Sequence, residues 1–136
     1  MSLLLDTCAA IWLTNADPIS DEAVAALRDA NETGDSVYVS PITAWEIGLF
    51  AARGRVRLLM EPQRWFERLL DGPGLRLTDM PPNVLIASSF LPGTLPGDPA
   101  DRIIAATARE YGYKLLTRDR PLLDYAEQGH IEAIRC

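Results

Sequence analysis

Five short apolar runs, residues 2–5 (SLLL), 36–39 (SVYV), 75–78 (LRLT), 113–116 (YKLL) and 131–134 (IEAI), recur along the chain with helix-forming sequence between them. Runs of this length read as strands. Strands separated each time by a helix do not pair through tight hairpins, so they lie parallel and are joined by helical crossovers. A parallel sheet has to be covered on both faces, which makes the chain an α/β protein.

The intervening segments carry helix signals of their own. TCAAIWL, starting at Thr7, predicts a short helix stopped by Asn15 and Pro18. Ser20 is an N-cap candidate for a helix with Asp21 and Glu22 in its first turn, the apolar stripe Ala23, Ala26, Leu27 and Ala30, and an end near Gly34. Pro41 opens ITAWEIGLFAAR, which runs to about Gly54. Further helices are expected at about 61–71, closed by Gly72-Pro73-Gly74, at 82–91 behind Pro81-Pro82, at Ala100–Tyr111 before Gly112, and at Arg120–Glu127. LPGTLPGDP, rich in Pro and Gly, is the most loop-like stretch.

A chain of 136 residues without repeats or low-complexity tracts is expected to form one domain, residues 1–136. Its 48% hydrophobic and 24% charged residues match a soluble globular protein with enough apolar surface for a core. Cys8 and Cys136 lie at opposite ends without zinc-type spacing, so neither a disulfide framework nor a zinc site is expected and a reducing cytoplasm fits best. The opening MSLLLD is too short for a signal-peptide core, and no apolar run approaches the ~18 residues of a membrane span. A net charge of −6 argues at first against a nucleic-acid partner. That objection weakens because Lys114 is the only lysine among 13 basic residues, the rest being arginines suited to bidentate phosphate contacts. Acids gathered around a cation also count differently from acids spread over a surface.

Asp6 ends the first apolar run, where ligands of open parallel sheets collect, but it also reads as the N-cap of the following helix. Glu46 shares a helical face with Ile42, Leu49 and Phe50, so its carboxylate needs a metal, a raised pKa, or a buried pair with Arg53, Arg55 or Arg57. Asp98 and Asp101 flank the start of the Ala100–Tyr111 helix and both can simply favour its positive end, although a carboxylate at the third helical position can still aim an oxygen into a cleft. Asp119 follows the YKLLT run by two residues, with Thr117 as a hydroxyl in support and Arg118 or Arg120 as possible local ion-pair partners. An aspartyl-nucleophile phosphatase would want a second Asp at position 8, which is Cys8. A response-regulator receiver would want adjacent acids near Asp6 and a Lys after a later strand, whereas Lys114 begins one. Walker-type phosphate loops and GxSxG elbows are absent, and the lone His130 reads as a turn residue.

Taken together, LLLDTCAAIW, VSPITAWEIGLFAARGRV, GDPADRIIAATAREYG and LLTRDRPLLDYA resemble the acidic motifs of PIN-domain ribonucleases. Within that family the chain is most similar to VapC-like toxins of type II toxin-antitoxin systems, with the likeness running from about Leu3 to Ala126. The resemblance implies a PIN-like α/β fold with a central five-stranded parallel sheet. It also implies a metal-dependent endoribonuclease in which Asp6, Glu46, Asp101 and Asp119 take the acidic positions, supported by Asp98 and Thr117. Relatives often carry a Lys where this chain has Phe50 and a His where it has Pro96, so basic or imidazole contributions from those positions are not expected.

Carboxylates without His or Cys select hard cations, so Mg²⁺ or Mn²⁺ is the expected cofactor. The expected partners are RNA, a small antitoxin and, by resemblance, a second copy of the chain. The helix with Trp45 and Phe50 and the helix with Trp65 and Phe66 are candidate walls for the antitoxin groove, unless these aromatics belong to the core. A housekeeping PIN nuclease of RNA processing and a noncatalytic α/β binding module are the alternative readings.

Overall fold

The computed structural model describes residues 1–94 and 96–136. Leu95, within the Pro/Gly-rich loop, lies outside the described residues. The chain runs β1 (Leu3–Leu5), α1 (Thr7–Thr14), α2 (Asp21–Thr33), β2 (Val37–Val39), α3 (Pro41–Ala52), α4 (Pro62–Leu70) and β3 (Leu75–Leu77), then α5 (Pro82–Ala87), α6 (Pro99–Tyr111), β4 (Lys114–Thr117), α7 (Arg120–Glu127) and β5 (Glu132–Arg135). The strands form one parallel sheet in the order β3-β2-β1-β4-β5. The first three strands add in one direction from β1 and the last two in the other, so the order reverses between β1 and β4. In open α/β sheets the crevice at such a reversal, beyond the carboxyl ends of the strands, is where ligands bind.

Alternation along the strands sorts the two faces. Leu3 and Leu5 of β1 with Val37 and Val39 of β2 pack against Ala9, Ala10, Ala23, Ala30, Trp65 and Leu69 of α1, α2 and α4. Leu4 and Leu115 point to the other face and meet Val84, Ile104, Ala105, Leu122 and Tyr125 of α5, α6 and α7. Burying each of these leucines contributes about 1.5–3 kcal/mol, which is why strands of three or four residues suffice to hold the sheet. Helix α3 packs against α1, α4 and α6.

The helix ends follow the chemistry expected of them. Ser20 Oγ accepts the Ala23 N–H at 3.0 Å to start α2, and Gly34 closes that helix with φ 77°, a left-handed position at which glycine escapes the Cβ penalty. The expected helix at 82–91 is shorter, ending at Ala87. There the Ser88 hydroxyl donates to the Leu85 carbonyl at 2.6 Å, and Pro92 disfavours helical backbone at Leu91. Trp65 is 1% exposed and belongs to the core, whereas Trp45 is 60% exposed. Of the two aromatic residues that lead the candidate groove walls, only Trp45 stands free.

Candidate active site

Asp6 leaves the carboxyl end of β1 and caps α1, its Oδ1 accepting the Ala9 N–H at 2.8 Å. Its backbone N–H donates to the Leu116 carbonyl, which anchors the turn to β4. The other oxygen, Oδ2, accepts the Thr117 hydroxyl at 2.5 Å. Thr117 is fully buried at the end of β4, and its Oγ also accepts the Asp119 N–H at 3.0 Å. One hydroxyl therefore braces the Asp6 carboxylate and the Asp119 backbone, which follow adjacent strands. Asp119 caps α7 through Oδ2, which accepts the Leu122 N–H at 3.2 Å.

Glu46 comes from α3 and is 8% exposed. Its Oε1 accepts the Thr7 hydroxyl at 2.5 Å, and Thr7 Oγ1 lies 3.0 Å from the fully buried Thr43 Oγ1. No ion pair joins Glu46 to Arg53, Arg55 or Arg57 among the described residues. Asp119 is likewise unpaired among them: Arg120 reaches Asp124 and Glu127, and the Arg118 guanidinium lies 3.8 Å over the Trp12 ring while donating to the Cys136 carbonyl. The buried-pair explanation of Glu46 is thus replaced by a hydroxyl network. Neither Thr7 nor Thr43 was expected. The available signal was that Thr43 falls three residues before Glu46, on the same helical face.

At the start of α6, Asp98 Oδ1 accepts the Asp101 N–H at 3.1 Å. Asp98 is the cap and is exposed; Asp101, one turn in, is more enclosed. Pro96, where relatives often carry His, is buried and its carbonyl accepts the Arg102 Nε–H at 2.6 Å. That position therefore serves the loop leading into α6. The capping roles considered for Asp6, Asp98 and Asp119 are all real, and they leave lone pairs free, since a carboxylate has about four acceptor sites.

Electrostatics show that these acids share one place. Burial pushes the Asp101 carboxyl from 3.8 up to about 8, reinforced by Asp119, Asp98, Glu46 and Asp6 in that order. Burial raises Asp6 to about 6 against the lowering effect of the Thr117 and Ala9 hydrogen bonds, with Asp119 adding to the rise. Glu46 is also raised, by burial first, although the Thr7 hydroxyl lowers it and Asp98 and Asp6 push it up. Even the Cys8 thiol, pushed up to about 11 by burial, feels Asp6, Glu46, Asp101 and Asp119. Asp6, Glu46 and Asp101, on the end of β1, the middle of α3 and the first turn of α6, are each pushed up by neighbouring carboxylates, so the site favours protons or a cation.

Among the described residues no three carboxylate, imidazole or thiol groups are drawn together into a ready-made coordination set. An all-oxygen donor set of this looser kind fits a hard cation of the Mg²⁺ type, which keeps several waters and takes only one or two carboxylates directly.

The comparisons with known proteins agree with this geometry. The PIN domain family model matches residues 3–128. The chain is 35% identical over 121 residues to Ribonuclease VapC22 of Mycobacterium tuberculosis, covering 89% of each protein. Its fold is similar to the crystal structure of VapBC2 from Rickettsia felis bound to a promoter DNA fragment, with TM-score 0.70 at 16% identity over 98% of both chains. It is also similar to FitAcB from Neisseria gonorrhoeae, with TM-score 0.55 at 23% identity over 99% of this chain and 97% of that one. With the family model matched over nearly the whole chain and a relative at 35% identity, the chain belongs to the PIN domain family.

Proposed function

We propose that this chain is a metal-dependent endoribonuclease acting as the toxin of a type II toxin-antitoxin pair. The observation that carries the reading is that Asp6, Glu46 and Asp119 are held by hydroxyl or backbone donors and, with Asp101, none is ion-paired among the described residues. The 35% identity to a named ribonuclease over 89% of both proteins supports the substrate class.

Asp6, Asp101 and Asp119 would hold Mg²⁺ or Mn²⁺, with Asp98 at the margin. When bound, such an ion offsets charge developing on the phosphoryl oxygens and acidifies water. The protein's own groups do the rest. Thr117 fixes the rotamer of Asp6, and the Leu122 N–H holds the Asp119 carboxylate, so the donor oxygens are preorganised. Glu46, oriented by Thr7 and lying among acids that raise its pKa, positions the attacking water and takes its proton as the water oxygen bonds to phosphorus and a ribose oxygen leaves. Thr43 steadies Thr7 from behind.

The VapBC and FitAB relatives support a small antitoxin as partner. Trp45 is the exposed aromatic on the site's own helix and supplies apolar surface for it. A second copy of the chain is part of the same proposal, with the exposed Ile86 and Phe90 as its apolar contact.

The test is cleavage of single-stranded RNA by purified protein. Activity that requires Mg²⁺ or Mn²⁺, stops with chelator, and is lost in both Asp101→Asn and Glu46→Gln is expected. RNA cut at full rate by either variant, or by the chelated protein, would overturn the assignment.

A further inference from the structure

On the sheet face away from α1 and α2, three tyrosines from separate elements form a column. Tyr38 of β2 and Tyr113, just before β4, stack with centroids 4.5 Å apart at 18°, and Tyr111 at the end of α6 stacks on Tyr113 at 5.5 Å and 29°. Arg76 of β3 is in register with Tyr38, so its side chain shares that face. Together with Thr78 and Asp79 these rings line an open hollow of ≈ 470 Å³, within the usual range of ligand pockets.

Tyr38 and Tyr113 pack against the core cluster on this face, but core packing does not account for the rest of the lining. Tyr111 is 40% exposed, and Arg76 and Asp79 are exposed as well. Thr78 is 5% exposed, yet its Oγ1 has no hydrogen-bond partner among the described residues while lining the hollow. A buried hydroxyl left without a partner costs about 1–3 kcal/mol, which a ligand in the hollow removes once the Thr78 side chain turns toward it. Burial pushes the Tyr113 hydroxyl up to about 12, so the middle ring of the column is neutral.

The chemistry around the hollow is specific. Stacked phenol rings offer a flat π surface, Arg76 donates, Asp79 accepts, and the Thr78 hydroxyl does either. A flat heterocycle with donors and acceptors along one edge satisfies that set, whereas the Asp79 carboxylate opposes a phosphate as the principal ligand. The Thr78–Asp79 rim of the hollow stands at the carboxyl ends of the strands, the end that carries the acids, whereas Tyr113 precedes β4 at their amino ends. Leu5, Val39 and Leu77 are in register, so Asp6 and Thr78 stand at the same level, two strands apart or roughly 10 Å by strand spacing.

We propose that this hollow binds an unpaired nucleobase, carried by single-stranded RNA or by a free nucleotide, through Tyr38, Tyr111, Tyr113, Arg76, Asp79 and Thr78. Only the identification of RNA as the source rests on the ribonuclease reading.

The chain has four tyrosines, and the fourth, Tyr125, is fully buried with its hydroxyl donating to the Pro92 carbonyl. Fluorine NMR of the full chain labelled with 3-fluorotyrosine therefore contains its own control. Wild type is titrated with AMP, GMP, CMP and UMP, which have no phosphodiester bond to cut, and Asp6→Asn with a single-stranded RNA oligonucleotide. Shifts at three resonances with the Tyr125 signal still are expected. Movement with mononucleotides identifies free nucleotides as a source, and movement with the oligonucleotide identifies RNA. Tyr111→Ala should weaken binding roughly five- to hundredfold, the usual cost of losing one stacked base. Thr78→Val, which keeps the shape and removes the hydroxyl, should weaken it severalfold and alter the preference among bases. No shift at millimolar ligand, equal shifts at all four resonances, or unchanged affinity in Tyr111→Ala would overturn the site. RNA cut normally while no resonance moves removes the base site and leaves the ribonuclease reading intact; mononucleotide shifts in a protein that cuts no RNA do the reverse.

Discussion

Replacing Asp6 by Asn should destroy the activity and stabilise the metal-free protein. The Asp6 carboxyl, 4% exposed, is raised from 3.8 to about 6. A group whose folded pKa lies above its unfolded value contributes most below the unfolded value, and that contribution disappears as pH rises through the folded one. Ionised Asp6 at pH 8 therefore costs the fold roughly 3 kcal/mol relative to its neutral form. Asn is neutral at every pH, and its carbonyl oxygen can still accept the Ala9 N–H. Its amide can meet Thr117 Oγ only as a donor, and that oxygen already accepts the Asp119 N–H, so about 1 kcal/mol is lost there. The net expectation is a gain of about 1–2 kcal/mol in chelator at pH 8, or roughly 4–8 °C in Tm. Urea denaturation of both proteins at pH 8 and pH 4 reads this directly: the gain should shrink at pH 4, where wild-type Asp6 is largely protonated. In excess Mg²⁺ the order should invert, because a ligand at a hundred times its Kd stabilises only the protein that binds it, by about 2.7 kcal/mol. A variant less stable than wild type in chelator at pH 8 would refute the reasoning.

The same physics reaches other positions. Thr117→Val, nearly isosteric, loses two hydrogen bonds in a fully buried site and should cost about 2–3 kcal/mol by denaturant melting, together with most of the cleavage rate. Thr7→Val removes the hydroxyl that lowers the Glu46 pKa, so the acid limb of the pH–rate profile should move to higher pH. Metal-free wild type should lose stability as pH rises from about 4 to 8, since Asp6 and Asp101 are both raised, and added Mg²⁺ should flatten that slope in thermal melts. Trp65→Ala should cost about 3–5 kcal/mol as a core deletion, whereas Trp45→Ala should change thermal stability by at most about 0.5 kcal/mol.

Much of this was legible in the chain because strand and helix periods differ and the chain keeps them apart. Leu3, Leu4 and Leu5 read as a strand, and the observed sheet places them at its centre, paired with β2 and β4. Asp6, Asp98 and Asp119 read equally as helix caps or site carboxylates, and they cap helices while facing one pocket, because one oxygen can do each task. The apolar neighbours of Glu46 announced its burial, but its partner stayed hidden: Thr7 is 39 residues away in the chain, and only the packing of α1 on α3 joins them. The tyrosine column was hidden for the same reason. Tyr111 and Tyr113 are two residues apart, but Tyr38 lies on β2 and meets them only through the register of β2 and β4 on β1.

The most direct measurement is sequencing of RNA 5′ ends shortly after induction of the chain, in wild type and in Asp6→Asn. Discrete new ends in wild type and none in the variant, expressed at equal level, are predicted. The same ends in both, or no new ends in wild type, would contradict a carboxylate centre that cuts RNA.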